Sequence, residues 1–239
     1  MNVEVVTVAN AKPTADYYLF DEWGASLDKF GVKPVILGWQ QPWHGLMTKP
    51  RRLQEWLRSG AADNVDCIIV VDCFDLVFAH HPRDIAMLWK ACGGVWTIGG
   101  ERSLFPSGNE DAYQKGTSSY RFPNSGFIIS TPQDMEKVLG AMDLPNIKDD
   151  HVDDTGRSIH PNDQEEYQRM FLRQPVPMEI DYDCGLVWNL CGVDASNFEF
   201  KHGEIINRET GMAAGCLHFN GPAKTDGMAE PVLKHLNLR

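Results

Sequence analysis

The sequence lacks most of the spacings that announce a chemistry on sight. None of its six cysteines stands in a Cys-x-x-Cys pair, which leaves a zinc ribbon or a thioredoxin-like redox site without support. No Gly-x-Gly-x-x-Gly follows the first apolar run and no Gly-Lys-Ser/Thr occurs, so the dinucleotide and P-loop folds lose their main signature. No apolar stretch approaches the ~20 residues of a membrane span. Positive charge is in deficit: 22 Lys and Arg against 33 Asp and Glu leave a net charge of −11. That balance excludes an extended nucleic-acid coat, though not a local basic groove. Repeats and low-complexity tracts are missing. The opening Met-Asn-Val-Glu-Val-Val has no basic n-region and reads as a first strand, not a secretory leader. Cys67, Cys73, Cys92, Cys184, Cys191 and Cys216 therefore read as reduced thiols of a cytosolic protein.

What is present suits an enzyme. The length of 239 residues with 43% hydrophobic supports one α/β domain, residues 1–239, with a substantial core. Seven Trp and 14 Pro fit a loop-rich fold better than a helical bundle. Apolar patterning predicts strands over 3–9, 35–37, 67–71, 95–98 and 127–130, alternating with helices over 17–30, 49–59, 82–91 and from Thr131-Pro132 onward. Residues 101–122 read as mostly loop, 148–158 as a charged mobile insertion, and 162–172 as a helix. Short strands are predicted at 178–181, at 186–188 and from 217 into a turn. Strand–helix alternation early and shorter strands late imply a nucleotide-binding half followed by an acceptor-shaping half.

The strand over 67–71 ends in Asp72-Cys73-Phe74-Asp75. Open α/β sheets bind ligands beyond the carboxyl ends of their strands, and two hard oxygen donors there suit Mg²⁺ or Mn²⁺ on a diphosphate. A capped turn with one solvated acid explains the same pattern. His218, in His-Phe-Asn-Gly-Pro-Ala-Lys, adds a candidate imidazole ligand, against the plainer reading of a surface histidine. The turn at Asn220-Gly221-Pro222 delivers Lys224 as a candidate phosphate partner. Asn124-Ser125-Gly126 offers sugar-binding amide and hydroxyl groups, or is simply a turn before a strand. Asp163 and Gln164 stand at a helix start, where an acid commonly compensates the dipole and in a sugar site takes an acceptor proton. Trp43 is either core or a stacking platform, and Lys49 a phosphate neutraliser. Capping accounts for His80 and His81; His160 carries no signal of its own. Arg51, Arg52 and Arg58 share one predicted helix, as a basic patch or a solvated face.

Taken in order, these pieces resemble one family, the glycosyltransferase domain of the lysyl hydroxylases (procollagen galactosyl/glucosyltransferases). The matching segments are Thr-Val-Ala at 7–9, Leu-Gly-Trp-Gln-Gln-Pro-Trp at 37–43, Lys-Pro-Arg-Arg-Leu at 49–53 and Val-Asp-Cys-Phe-Asp-Leu-Val-Phe at 71–78. Glu101, Phe-Pro-Asn-Ser-Gly-Phe-Ile at 122–128, Asn-Asp-Gln-Glu-Glu-Tyr at 162–167, Ile-Asp-Tyr-Asp at 180–183, Val-Trp-Asn-Leu at 187–190 and His-Phe-Asn-Gly-Pro-Ala-Lys at 218–224 continue it. The resemblance implies a GT-A-like fold: a Rossmann-like nucleotide-binding half with a mixed central sheet, and a smaller acceptor-side half. It implies a UDP-hexose donor (glucose or galactose) and Mn²⁺ or Mg²⁺ held by Asp72, Asp75 and His218. Donor contacts then fall to Thr7, Val8, Ala9, Trp43, Lys49, Asp72, Gln164, Gly221 and Lys224, and catalytic roles to Asp163 and Asn124. Phe105 stands near the position of an aromatic gate.

The resulting expectation is a metal-dependent hexosyltransferase acting on an acceptor hydroxyl of a protein, glycan or modified DNA base. With no oxygenase segment and no leader in the sequence, a cytoplasmic enzyme of bacterial or viral origin is expected, with no membrane partner. Two other classes remain open: a metal-dependent phosphohydrolase built on the same acids, and a non-catalytic sugar-nucleotide or glycan-binding module.

Overall fold

A computed structural model describes residues 1–239 other than 16, 17, 107, 115 and 117. Its strands are β1 (Val3–Val8), β2 (Val35–Leu37), β3 (Cys67–Val71), β4 (Leu76–Phe78), β5 (Trp96–Glu101), β6 (Phe122–Ser130), β7 (His151–Val152), β8 (Ser158–Ile159), β9 (Met178–Asp181), β10 (Val187–Asn189), β11 (Phe198–Lys201), β12 (Glu204–Asn207) and β13 (Cys216–His218). The helices are α1 (Phe20–Asp28), α2 (Thr48–Arg58), α3 (Pro82–Ala91), α4 (Pro132–Ala141), α5 (Asp163–Arg173) and α6 (Ala229–His235). No described helix is long and apolar enough to cross a membrane.

The central sheet runs β2-β1-β3-β6-β5-β9. β6 is antiparallel to both its neighbours, and the other pairings are parallel. Alternation along β3 sends Ile68 to one face and Cys67, Ile69 and Val71 to the other, as a period of two requires. Leu53 of α2, Val138 of α4 and Met170 of α5 cover the first face. Trp23 of α1 and Ile85 of α3 cover the second. A smaller sheet, β10-β13-β4, joins α6 in a third core through Trp188, Leu217, Val232 and Leu233. The mixed sheet and its two helical layers form the GT-A-like fold.

Several sequence expectations change. The helix over 17–30 starts at Phe20, because the Leu19 amide donates to the Phe74 carbonyl at 2.8 Å and holds the chain outside the helix; Tyr17 lies outside the described residues. Asn124-Ser125-Gly126 is not a turn but part of β6, whose pairing with β5 shifts register between Ile98 and Gly99. The charged segment over 148–158 carries a short hairpin, β7–β8, with Asp153 accepting from the Thr155 and Arg157 amides. Strand β4, the β11–β12 hairpin and α6 were not expected. The hairpin turns on His202 and Gly203, both at positive φ (54° and 86°), the backbone that two-residue hairpin loops need.

Candidate active site

The chain leaves the central sheet at Val71 and enters the smaller sheet at Leu76, so the four residues between cross from one to the other. The Asp72 amide donates to the Gly126 carbonyl of β6 at 3.0 Å. The Asp75 carbonyl accepts from the Phe219 amide at 2.7 Å. One acid is thus fixed at the edge of each sheet. β13 pairs with β4 so that His218 lies opposite Leu76, which brings the late imidazole beside the early acids. Asp72, Asp75 and His218 each offer one donor atom, and these atoms lie within 4.8 Å of one another.

The backbone makes room for this cluster. A Cβ on Gly126 would come within 2.1 Å of the His218 ring, so only glycine fits there. His218 Nε2 stands 3.2 Å from Asp75 Oδ1, and Lys224 Nζ is 3.0 Å from Asp75 Oδ2. Burial pushes the Asp75 carboxyl up, but His218 and Lys224 outweigh it and hold it down at about 2. Lys49 bridges Asp72 at 2.6 Å and Asp163 at 3.4 Å. Burial alone would lower the Lys49 pKa; Asp163 and Asp72 reverse that and raise it, so the ammonium stays charged. Asp163 is 3% exposed, and its carboxyl is raised by burial against the pull of Lys49. Two oxygen donors and an imidazole, flanked by two ammonium groups, suit a divalent cation and the phosphates it would carry.

Beside this cluster opens a cavity of about 470 Å³, lined among others by Leu46, Asp163, Gln164, Asn220 and Gly221, with Phe105 on its rim. In its wall Glu101 accepts from the carboxamides of Asn124 (3.2 Å), Gln164 (2.7 Å) and Asn220 (2.9 Å). Burial pushes the Glu101 carboxyl up to about 7 in spite of those donors. Asn162 caps α5 by accepting from the Gln164 amide, which presents Asp163 and Gln164 to the cavity. Gln164 and Gln168 both donate to the Phe105 carbonyl at 2.7 Å.

A family model described as the PLOD GT domain matches residues 1–228. The chain belongs to the PLOD GT-domain family. It is 25% identical over 237 residues to procollagen-lysine,2-oxoglutarate 5-dioxygenase 1 of Bos taurus, covering 93% of this chain and 30% of that protein. The corresponding Rattus norvegicus protein is 26% identical over 240 residues, with 93% and 30% covered. Procollagen-lysine,2-oxoglutarate 5-dioxygenase 2 of Homo sapiens is 22% identical over 232 residues, with 92% and 30% covered. The chain thus spans about 30% of the length of these curated relatives. The fold is shared with a solved glycosyltransferase involved in the glycosylation of the major capsid of PBCV-1, at TM-score 0.54 and 12% identity, covering 99% of this chain and 100% of that one. As a PLOD GT domain, the chain is a glycosyltransferase domain of GT-A type.

Within this PLOD GT domain the structure gathers Lys49, Asp72, Asp75, Asn124, Asp163, Gln164, His218 and Gly221 around one cavity; Lys224 joins through Asp75. It does not bring Thr7, Ala9 or Trp43 to the cavity wall. Thr7 is fully buried and donates to the Val71 carbonyl at 2.7 Å, so its hydroxyl is used between strands. Ala9 is buried, Trp43 is half-buried, and neither lines the cavity. Val8 borders only a small crevice behind Lys49 and Asp72. His81 caps α3 by accepting from the Arg83 amide, and His80 pairs with Glu204. His160 is exposed and pairs with Asp150. Of the helix arginines, Arg51 is tied to Asp149 and Arg52 to Glu55. Glu101, Asn189 and Asn220 were not expected as site residues. Glu101 stands only among the residues that carry the family resemblance, with no role given to it, three residues beyond the strand expected over 95–98.

Proposed function

We propose that residues 1–239 act as one transferase unit that moves a hexose, glucose or galactose, from a UDP-sugar to an acceptor hydroxyl with the help of Mn²⁺, or of Mg²⁺ in its place. The observation that carries this reading is the convergence of Asp72, Asp75 and His218 within 4.8 Å on the wall of a sugar-sized cavity. The imidazole favours Mn²⁺ over Mg²⁺, which prefers oxygen donors throughout. Bound there, a divalent ion would supply Lewis-acid stabilisation of the departing diphosphate. Lys49 and Lys224 add fixed positive charge on either side of the same acids. In the transfer, the bond from the anomeric carbon to the phosphate oxygen breaks and a bond to the acceptor oxygen forms. The acceptor proton leaves to a base. Asp163 is the candidate base, since its carboxylate lines the cavity beside the acid cluster, where it could take the acceptor proton. Asn124 and Gln164, held in the cavity wall by Glu101, shape the place where the sugar would lie.

Family membership favours transfer over phosphate ester hydrolysis. A hydroxylysine-like acceptor fits better than a hydroxymethylated base in duplex DNA: the net charge is −11, two of the three helix arginines are already paired, and duplex binding depends on phosphate neutralisation. Six unpaired cysteines fit a cytoplasmic setting. Calorimetry with UDP, with and without Mn²⁺, tests the donor site. UDP binding indifferent to Mn²⁺ would remove the metal from the proposal. Release of UDP from UDP-glucose or UDP-galactose separates enzyme from binding module. Mass gain on hydroxylysine peptide or hydroxymethylated DNA then identifies the acceptor.

A further inference from the structure

A neutral imidazole carries one ring proton, and two acceptors compete for the one on His218. Asp75 Oδ1 stands 3.2 Å from Nε2. Asn189 Oδ1 stands 2.6 Å from Nδ1. If Asp75 wins, the nitrogen facing the acid cluster is blocked by hydrogen. If Asn189 wins, that nitrogen keeps a free lone pair. The orientation of the Asn189 amide is not free to vary. Its Nδ2 donates to the Gly100 carbonyl at 2.8 Å, and a flip would set two oxygens against each other there and two N–H groups at the ring whenever Nδ1 is protonated. The pocket around it is shaped for this pose. A Cβ on Gly99 would come within 2.9 Å of Asn189 Nδ2, and Asn189 is 1% exposed at the end of β10. β10 pairs with β13 so that Asn189 lies directly opposite His218. The two side chains are therefore fixed by strand register, not by a flexible loop.

We propose that Asn189 is a positioning residue that keeps the His218 ring proton on Nδ1 and so leaves Nε2 open toward Asp72 and Asp75. This rests on the metal-site reading above for its purpose, but the proton position itself does not depend on any metal. Outer-shell partners that fix a ligating imidazole in this way change metal affinity by roughly 10–100-fold when removed.

The test uses the full chain, metal-free, with ¹⁵N-labelled histidine, at pH 8. His218 is assigned by its loss in His218→Gln. The expected wild-type spectrum has the His218 proton on Nδ1. In Asn189→Ala it moves to Nε2, and Mn²⁺ affinity read by electron paramagnetic resonance falls by roughly 10–100-fold. In Asn189→Asp, whose carboxylate still accepts from Nδ1–H but loses the donor to the Gly100 carbonyl, the proton stays on Nδ1 and Mn²⁺ affinity falls less than in Asn189→Ala. A merely structural role would not follow that order. A wild-type proton on Nε2 alone, or an Asn189→Ala variant with unchanged proton position and Mn²⁺ affinity, overturns the proposal. Should Asn189→Ala not fold, the wild-type spectrum and Asn189→Asp decide it. Proton control by Asn189 in a protein that binds no Mn²⁺ would support the positioning role and defeat the metal reading.

Discussion

His218 Nε2 lies 3.2 Å from Asp75 Oδ1, although the two residues are 143 positions apart in the chain. The contact is made by adjacent strands: Asp75 immediately precedes β4, and His218 closes β13, which pairs with it. Removing the acid takes away one of the three donor atoms of the cluster and leaves the Lys224 ammonium without its partner. Asp75→Ala is expected to weaken Mn²⁺-dependent UDP binding beyond the roughly 10–100-fold that outer-shell changes cost, while the circular dichroism spectrum keeps its native form. Calorimetry gives the affinity. Retained binding would take Asp75 out of the site.

Gly126→Ala tests the space left for the imidazole. The new methyl would meet the His218 ring at 2.1 Å, so ring or strand must move. Overpacking of this kind costs about 1–3 kcal/mol, and the displaced ring should lose Mn²⁺. Adding His218→Ala to Gly126→Ala removes the clash. The double variant should melt higher than the sum of the single changes predicts, a coupling that a thermal double-mutant cycle measures. Strict additivity would show that the two residues do not share the space.

Glu101 makes stability depend on pH in a definite direction. Its carboxyl lies at about 7 in the folded chain against 4.5 as its ordinary value, so between these the folded state holds a proton that the unfolded state has lost. Stability from this group is fully present below about 4.5 and is lost as pH rises through about 7. The full difference is ~3 kcal/mol at most. Glu101→Gln should flatten the fall in melting temperature between pH 4.5 and 7.5. An unchanged slope would place the titration elsewhere.

Lys49→Met removes the cation between Asp72 and the buried Asp163. Breaking a fully buried pair costs about 3–5 kcal/mol; Lys49 and Asp72 are partly exposed, at 21% and 28%, so about 2 kcal/mol is expected after solvent screening. Chemical denaturation measures it. UDP affinity should fall in the same variant, and stability lost without any change in UDP binding would confine Lys49 to a structural role.

Much of this was legible in the sequence because it was local. The apolar run Cys67–Val71 ending in two acids marked both a strand and the end at which the acid–imidazole cluster stands. Pro82 and Pro132 marked helix starts that the structure keeps. Asn124-Ser125-Gly126 misled because its glycine reads as a turn locally, whereas the reason for it is a histidine ring 92 positions later. Glu101 and Asn189 stayed hidden for a related reason: their partners, three carboxamides and an imidazole, come from other elements. The donor contacts expected at Thr7, Ala9 and Trp43 followed segment order, and the first two are core positions.

The β4–β13 ladder has a mechanical corollary. Asp75 and His218 ride on neighbouring rungs, so they cannot drift apart unless strand hydrogen bonds rupture. Any adjustment between the two side chains is thereby left to their own rotamers, and the spacing of the backbones that carry them is set by the ladder.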